Sequence, residues 1–219
     1  VKSLSFNFLH CAKLAGAKVI LFFGKENYLT SQPKHFMSVS DQEILALACI
    51  PGEKEQAFSL LVKKYQQRLY WHLRKMLVVH EDADDVLQNT FVKAWENLDQ
   101  FRGDSSIYTW MYRIATNEAL NFLNKKRAEL INNPEDLEVL LSKQLDNDPL
   151  YSGDEIEKRL LKSVLSLPDK QRLVFNMKYF DNMKYEEMAR ILDTSVGALK
   201  ASYFHAVRKI EALIDQELF

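Results

Sequence analysis

Four aromatic rings, Phe101, Tyr108, Trp110 and Tyr112, fall within twelve residues of the chain, beside Arg102, Arg113 and Asn117. Rings interleaved with cations suit unpaired nucleic-acid bases, because each ring face can stack on a base for about 1–3 kcal/mol while guanidinium groups follow the backbone. Asn117 lies one turn beyond Arg113 and brings an amide that can bond a base edge. Composition alone leaves a second reading open, since aromatics at helical spacing also build cores. A second set lies far along the chain, where Lys200, Ala201, Phe204, His205 and Arg208 share one helical face and no acid occurs between Val196 and Ile210. Lys200 and Arg208 can neutralise phosphates or reach guanine acceptors, His205 can bond a base edge, and Phe204 can lie against a thymine methyl. Its bland alternative is a solvated basic face.

The elements that must position these residues are helices. Tyr185 to Leu192, then Asp193-Thr194-Ser195, then a longer run from Val196, have helix-turn-helix spacing. Ala189 is small enough for two helices to approach there, and Ser195 can cap the second one. Leu199, Tyr203, Ala206, Ile210 and Leu213 form the face opposite the basic set. Upstream, Ser40-Asp41-Gln42-Glu43 is a capping-box pattern, Pro51-Gly52 breaks the chain, and Phe58, Leu61, Val62, Tyr65, Leu69 and Leu73 recur at helical steps. Between Asp82 and Asn97 the apolar set Val86, Leu87, Phe91, Ala94 and Trp95 keeps a 3.6-residue period, with four acids in Glu81 to Asp85 at the favourable end of the helix dipole. A turn at Phe101 to Asp104 leads to a helix with Ile107, Trp110, Met111, Ile114 and Ala115 inward and a basic end, Lys125-Lys126-Arg127. Leu160, Leu161, Val164 and Leu165 mark a further helix, which stops at Leu167 and restarts at Pro168-Asp169. No segment alternates long enough for a strand, so the expected fold is all-α.

The balance of 29 Lys+Arg against 30 Asp+Glu hides a polarised layout. Residues 37–127 are neutral, 128–157 hold nine acids and only Lys143, and 158–219 hold eleven bases and eight acids. An acidic stretch between two apolar-patterned segments reads as two small helical domains, 37–127 and 158–219, joined by a flexible linker, 128–157. Residues 1–36 read as a disordered N-terminal extension with a poor match to a secretion signal. No apolar run is long enough to span a membrane. Two isolated cysteines, Cys11 and Cys49, make neither a disulfide framework nor a metal site. Neither a metal nor any other cofactor is expected, no enzyme motif is visible, and a reducing, cytoplasmic setting is the simplest reading. Of the five histidines only His205 receives a role.

Two runs resemble a known family. Asp82-Ala83-Asp84-Asp85-Val86-Leu87-Gln88-Asn89-Thr90-Phe91-Val92-Lys93-Ala94-Trp95, followed by Phe101-Arg102-Gly103-Asp104-Ser105 and Tyr108 to Ala115, closely resembles region 2 of the extracytoplasmic-function (ECF) sigma factors of bacterial RNA polymerase. The C-terminal run resembles their region 4. The resemblance covers residues 40 to about 213. It implies that Asp84, Asp85, Gln88, Asn89 and Lys93 dock on core RNA polymerase. It further implies that Phe101, Arg102, Tyr108, Trp110, Arg113 and Asn117 capture the melted minus-10 strand, and that Lys200, Ala201, Phe204, His205 and Arg208 read the minus-35 duplex. The chain departs from better-known members at Ala201 and Ser202, where a serine and an arginine are frequent, so the bases read do not carry over with the resemblance. The acidic segment corresponds to the part that threads the polymerase cleft, as a nucleic-acid mimic or as a plain tether. Family members commonly have an anti-sigma factor, and one is expected here. The residues alone also admit a stand-alone helix-turn-helix regulator, against which the single-strand platform argues, and a protein-binding adaptor, which leaves the basic face unexplained.

Overall fold

The computed structural model describes residues 39–129, 135–148 and 155–217, and all regular structure among them is helical. The expected extension 1–36 lies outside the described residues, as do 130–134 and 149–154 of the acidic segment. The described residues fall into two compact units, divided between Gln67 and Arg68.

In the first unit, α1 (Asp41–Ala48) begins with the capping box its sequence announces. Ser40 Oγ accepts the Glu43 N–H at 3.2 Å and Glu43 Oε2 accepts the Ser40 N–H at 2.7 Å, so two otherwise unpaired helix-start donors are satisfied. Gly52 sits at φ +89°, a left-handed conformation open to glycine, and turns the chain into α2 (Lys54–Leu77). Lys64 Nζ returns to Asp41 at 2.7 Å and to the Val39 carbonyl at 2.7 Å, and Tyr65 Oη donates to Asp41 at 2.5 Å. Burial opposes the charge on Asp41, but these donors outweigh it and hold the carboxyl below its ordinary value.

α2 continues into the second unit with Leu69, Leu73, Met76 and Leu77 buried. There it is followed by α3 (His80–Asn97), a single 3-10 turn at Leu98–Gln100, and α4 (Ile107–Glu129). α3 and α4 lie against each other and bury Val86, Leu87, Phe91 and Ala94 on one, and Met111, Ala115, Ala119 and Leu123 on the other. Each large side chain so buried contributes about 1.5–3 kcal/mol.

The acidic stretch contains a helix that its composition concealed. In α5 (Glu135–Asp146), Leu137, Leu141 and Leu145 recur every four residues and are buried, and the helix packs on α6 (Glu155–Leu165). Two of its acids are partnered rather than merely solvated, Glu138 with Arg127 at 2.9 Å and Asp146 with Lys162 at 2.8 Å.

The last part of the unit comprises α7 (Asp169–Phe175), a π-helical turn at Asn176–Phe180, α8 (Tyr185–Leu192) and α9 (Val196–Glu217). α9 is the organising element, because it contacts α6, α7 and α8. Its Ala206 and Ile210 join Val164, Leu167 and Phe175 in one core, with Leu160, Tyr203 and Val207 at the margin. Pro168 precedes α7 and Asp169 occupies its first turn, where Arg127 meets it through two hydrogen bonds of 2.5 and 2.8 Å.

Candidate nucleic-acid interface

The helix-turn-helix forms as its spacing requires. α8 ends at Asp193, whose φ of 48° reverses the chain, and the Thr194 N–H returns to the Ala189 carbonyl at 3.2 Å. Ser195 Oγ then accepts the Ala198 N–H at 3.2 Å and caps α9. With Leu199, Ala206 and Ile210 buried, the opposite face of α9 is fixed by helical period. Lys200, Ala201, Phe204, His205 and Arg208 are all exposed there. Phe204 leaves 56% of its surface to solvent, an apolar ring held on a rigid helix with the Arg208 guanidinium 5.5 Å from its centre and the His205 ring edge-on at 5.8 Å. Arg208 also has Glu211 at 3.8 Å, while Lys200 Nζ sits 5.8 Å from the Tyr185 ring centre. Such weak, solvent-facing contacts position the cations without consuming their charge.

The aromatic cluster divides in two. Phe101 and Trp110, both half-buried, meet with ring centres 5.4 Å apart. Trp110, Arg113 and Asn117 follow at three- and four-residue steps on one face of α4, and Arg113, Asn117 and Arg102 are exposed. Gly103, at φ +76°, makes the turn that brings Phe101 back over this face. Trp110, expected inward, thus straddles core and surface. Tyr108 is half-buried with the Arg68 guanidinium 3.9 Å from its ring centre, and burial pushes its hydroxyl up to about 12. Tyr112 is fully buried.

On α3 the third set also separates. Asp85, Asn89 and Lys93 are exposed at four-residue steps and form a stripe, whereas Asp84 and Gln88 are half-buried beside it. Lys93 reaches Glu118 of α4 at 2.5 Å, which ties the stripe to the helix bearing the rings. Burial raises both Asp84 and Asp85 above their ordinary value, with neighbouring acids adding to it.

Sequence reasoning missed a buried polar network beneath α4, because its members come from three distant stretches of chain. His72 Nδ1 lies 2.7 Å from Tyr112 Oη and its Nε2 lies 3.0 Å from Thr116 Oγ1. Tyr112 donates its proton to Asp181 Oδ2 at 2.6 Å, and Asp181 Oδ1 accepts from Lys75 Nζ at 2.7 Å. Burial pulls His72 down to about 4 from its ordinary 6.5, with Asp181 opposing the shift and Lys75 adding to it. The unfolded chain therefore binds a proton that the folded one refuses, and stability falls as the pH drops from 6.5 towards 4. The expected loss is at most about 1.4 kcal/mol per pH unit. Thermal melts across this range should show that slope in the native protein and a shallower one in His72→Gln; equal slopes would clear His72 of the effect.

Among the described residues no helix is long and apolar enough to cross a membrane, and no group of three or more His, Cys, Asp or Glu could hold a metal ion.

Residues 61–129 match the family model of Sigma-70 region 2, and residues 157–210 match that of Sigma-70, region 4. Both modules, in this order, define a protein of the sigma-70 class. Proteins named ECF RNA polymerase sigma-E factor from Salmonella typhimurium and from Escherichia coli K12 are each 34% identical over 167 residues, covering 72% of this chain and 86% of theirs. The Haemophilus influenzae protein of that name is 31% identical over 177 residues, covering 75% of this chain and 90% of its own. The chain belongs to the ECF sigma factors of the sigma-70 family. CnrH, solved in complex with the cytosolic domain of CnrY, is 25% identical with a TM-score of 0.57, covering 80% of this chain and 97% of that one. The sigma factor RpoE of Bartonella quintana, solved with the anti-sigma factor NepR, has the same TM-score at 20% identity, covering 73% of this chain and 98% of that one, and shows likeness of fold alone.

Proposed function

We propose that this protein binds core RNA polymerase and directs initiation at promoters whose minus-35 duplex is read by α9 and whose minus-10 element is melted and captured at α4. The observation that carries the reading is the face of α9, where five residues of the types that contact phosphates and base edges are all exposed on a helix whose other face is locked into a core. Residues 37–127 then act as the polymerase-binding and minus-10 module, 158–219 as the minus-35 module, and 128–157 as the connection. Asp84, Asp85, Gln88, Asn89 and Lys93 make the polymerase contact, with the exposed stripe of Asp85, Asn89 and Lys93 at its centre. Phe101 and Trp110 supply rings for unpaired bases, Arg102 and Arg113 follow the strand, and Asn117 reads an edge. Tyr108 supports that pocket from beneath, since Arg68 covers one face of its ring. RpoE of Bartonella quintana was solved with an anti-sigma factor, and a partner of that kind is proposed for this chain.

The test is run-off transcription from a pool of promoter-bearing fragments with core polymerase, with and without the protein. Defined new transcripts appearing only in its presence are expected, and their start sites supply the minus-35 and minus-10 sequences. An absence of transcripts while the full chain still binds duplex DNA would favour a stand-alone regulator instead.

The duplex contact has its own signature. Lys200→Ala and Arg208→Ala should each weaken minus-35 duplex binding and flatten the slope of log affinity against log salt by about 0.9 for each phosphate released. A slope unchanged by both would remove these residues from the phosphate contact.

A further inference from the structure

His80 is the first residue of α3, one turn before Asp84, and both of its ring nitrogens are engaged. Nδ1 lies 2.6 Å from Tyr70 Oη, and Nε2 lies 3.4 Å from Asp84 Oδ2. Tyr70 is a buried residue of α2, and its ring meets the imidazole edge-on with centres 5.8 Å apart. One imidazole therefore reaches from a buried anchor to a half-buried carboxylate at the edge of the stripe formed by Asp85, Asn89 and Lys93.

The protons follow from the partners. An ionised carboxylate can only accept, so Nε2 carries the proton that faces Asp84. In the neutral ring Nδ1 is then bare, and it accepts the Tyr70 hydroxyl proton. Donation runs in one direction, from Tyr70 to His80 to Asp84.

The backbone leaves the start of α3 in need of such an anchor. Only Val78 and Val79 separate it from α2. Val78 is buried at φ 66°, a left-handed conformation that β-branched residues rarely adopt. Val79 precedes the helix and supplies no side-chain cap. The first turn is held instead by side chains of its neighbours, with Tyr70 of α2 on His80 and Lys126 of α4 on Asp82 at 2.5 Å. Backbone strain of this sort persists only where the surroundings over-determine it, and it collects at functional positions.

The anchored ring acts on Asp84. Burial opposes the charge on that carboxyl, and Asp85 and Glu81 add to the effect, while His80 and Arg74 of α2 work against it. Of these two, His80 has the larger influence, and the Arg74 guanidinium is also engaged by Asp148. Without the imidazole, a half-buried acid beside two others has little to hold it in place. With Oδ2 facing Nε2, Oδ1 is left to accept from a donor on a docking partner.

We infer that His80 is a positioning residue for the polymerase contact: it anchors on Tyr70 and holds the Asp84 carboxylate in place at the docking surface. The inference rests on the polymerase-binding function proposed above.

The test measures the affinity of the full chain for core polymerase in variants that separate the two bonds. An Asn amide stands where Nδ1 does and can keep the Tyr70 bond, whereas the longer Gln amide stands where Nε2 does and can keep the Asp84 bond. His80→Ala and His80→Asn should each bind about fivefold more weakly, and His80→Gln should bind nearly as well as the unaltered protein. In an Asp84→Ala background, His80→Ala should cost nothing further. In the free protein, the Asp84 carboxyl carbon resonance should titrate at higher pH in His80→Ala than in the unaltered chain, and an unmoved titration would overturn the inference. Rescue by Asn and not by Gln would overturn it in favour of packing against Tyr70. Equal affinity in all the His80 variants would overturn it as well, and so would additive losses in the double variant, which would make His80 a separate contact. If Asp85→Ala and Lys93→Ala weaken binding and Asp84→Ala does not, α3 still docks and the positioning role alone is overturned. If the unaltered protein does not bind core polymerase, the polymerase-binding function fails and takes this inference with it.

Discussion

Replacing Asp169 with alanine should lower the unfolding free energy by about 3–5 kcal/mol, the cost typical of removing one partner from a buried ion pair. Asp169 stands at the N-terminus of α7 between two arginines. Arg172 is fully buried, with Nη2 on Asp169 at 2.8 Å and Nη1 on the Leu165 carbonyl at 3.4 Å. Arg127, at the end of α4, grips both oxygens of the same carboxylate and also reaches Glu138 of α5. Without Asp169 the Arg172 charge is left in the interior with one long contact. Burial alone would raise the Asp169 carboxyl, but the arginines overcome this and hold it below its ordinary 3.8, while burial lowers Arg172. A depressed carboxyl stabilises the fold above its unfolded pKa and ceases to do so as the pH falls through the folded one. The Asp169 contribution is therefore lost below about pH 4, a lower window than that of His72. Urea titration of the single variant and of Asp169→Ala with Arg172→Met separates the causes, because the double variant removes the orphaned charge and should recover most of the loss. A double variant as unstable as the single one would show that the carboxylate matters for something other than Arg172.

The second large effect falls on promoter opening. Trp110→Ala should reduce the population of melted complex about 5- to 150-fold, the equivalent of about 1–3 kcal/mol for one lost ring-on-base stack. Extruding a base costs a few kcal/mol, so the loss of one stack is a large part of what offsets it. Because Trp110 is half-buried against Phe101, its removal also disturbs packing. Asn117→Ala avoids that difficulty, since Asn117 is exposed on the same face, and it should show a smaller defect of the same kind. Permanganate reactivity of thymines in the minus-10 element measures the melting, and retention on core polymerase measured alongside should be unchanged. Normal melting in both variants would remove α4 from the single-strand site; lost polymerase retention would place the defect upstream of it.

Local features were legible in the residues because they depend on near neighbours in the chain. The Ser40 and Glu43 capping box, the 3.6-residue period of α3, the break at Pro168 and the cap at Ser195 all appear in the structure where sequence rules put them. The exposed face of α9 was legible for the same reason: once Leu199, Ala206 and Ile210 are inward, helical geometry leaves Lys200, Phe204, His205 and Arg208 outward. The helix in the acidic segment was partly written as well, in Leu137, Leu141 and Leu145, but nine acids obscured it.

What the sequence could not determine by itself concerns groups brought together by folding. Nothing local distinguishes Tyr112, fully buried, from Trp110, half-exposed two residues earlier, since both belong to one aromatic run; the neighbours of α4 settle it. Arg68 over Tyr108, Arg127 on Asp169, and the path from Thr116 through His72 and Tyr112 to Asp181 join residues 40 to 69 positions apart at each step. Periodicity carries no information at such separations, because it records which face of an element is apolar and not which element will cover it. Which residue types suited to nucleic-acid contact are present, and at what spacing, was therefore determined by the sequence. Tertiary packing alone decided which rings stay available and which charges neutralise one another.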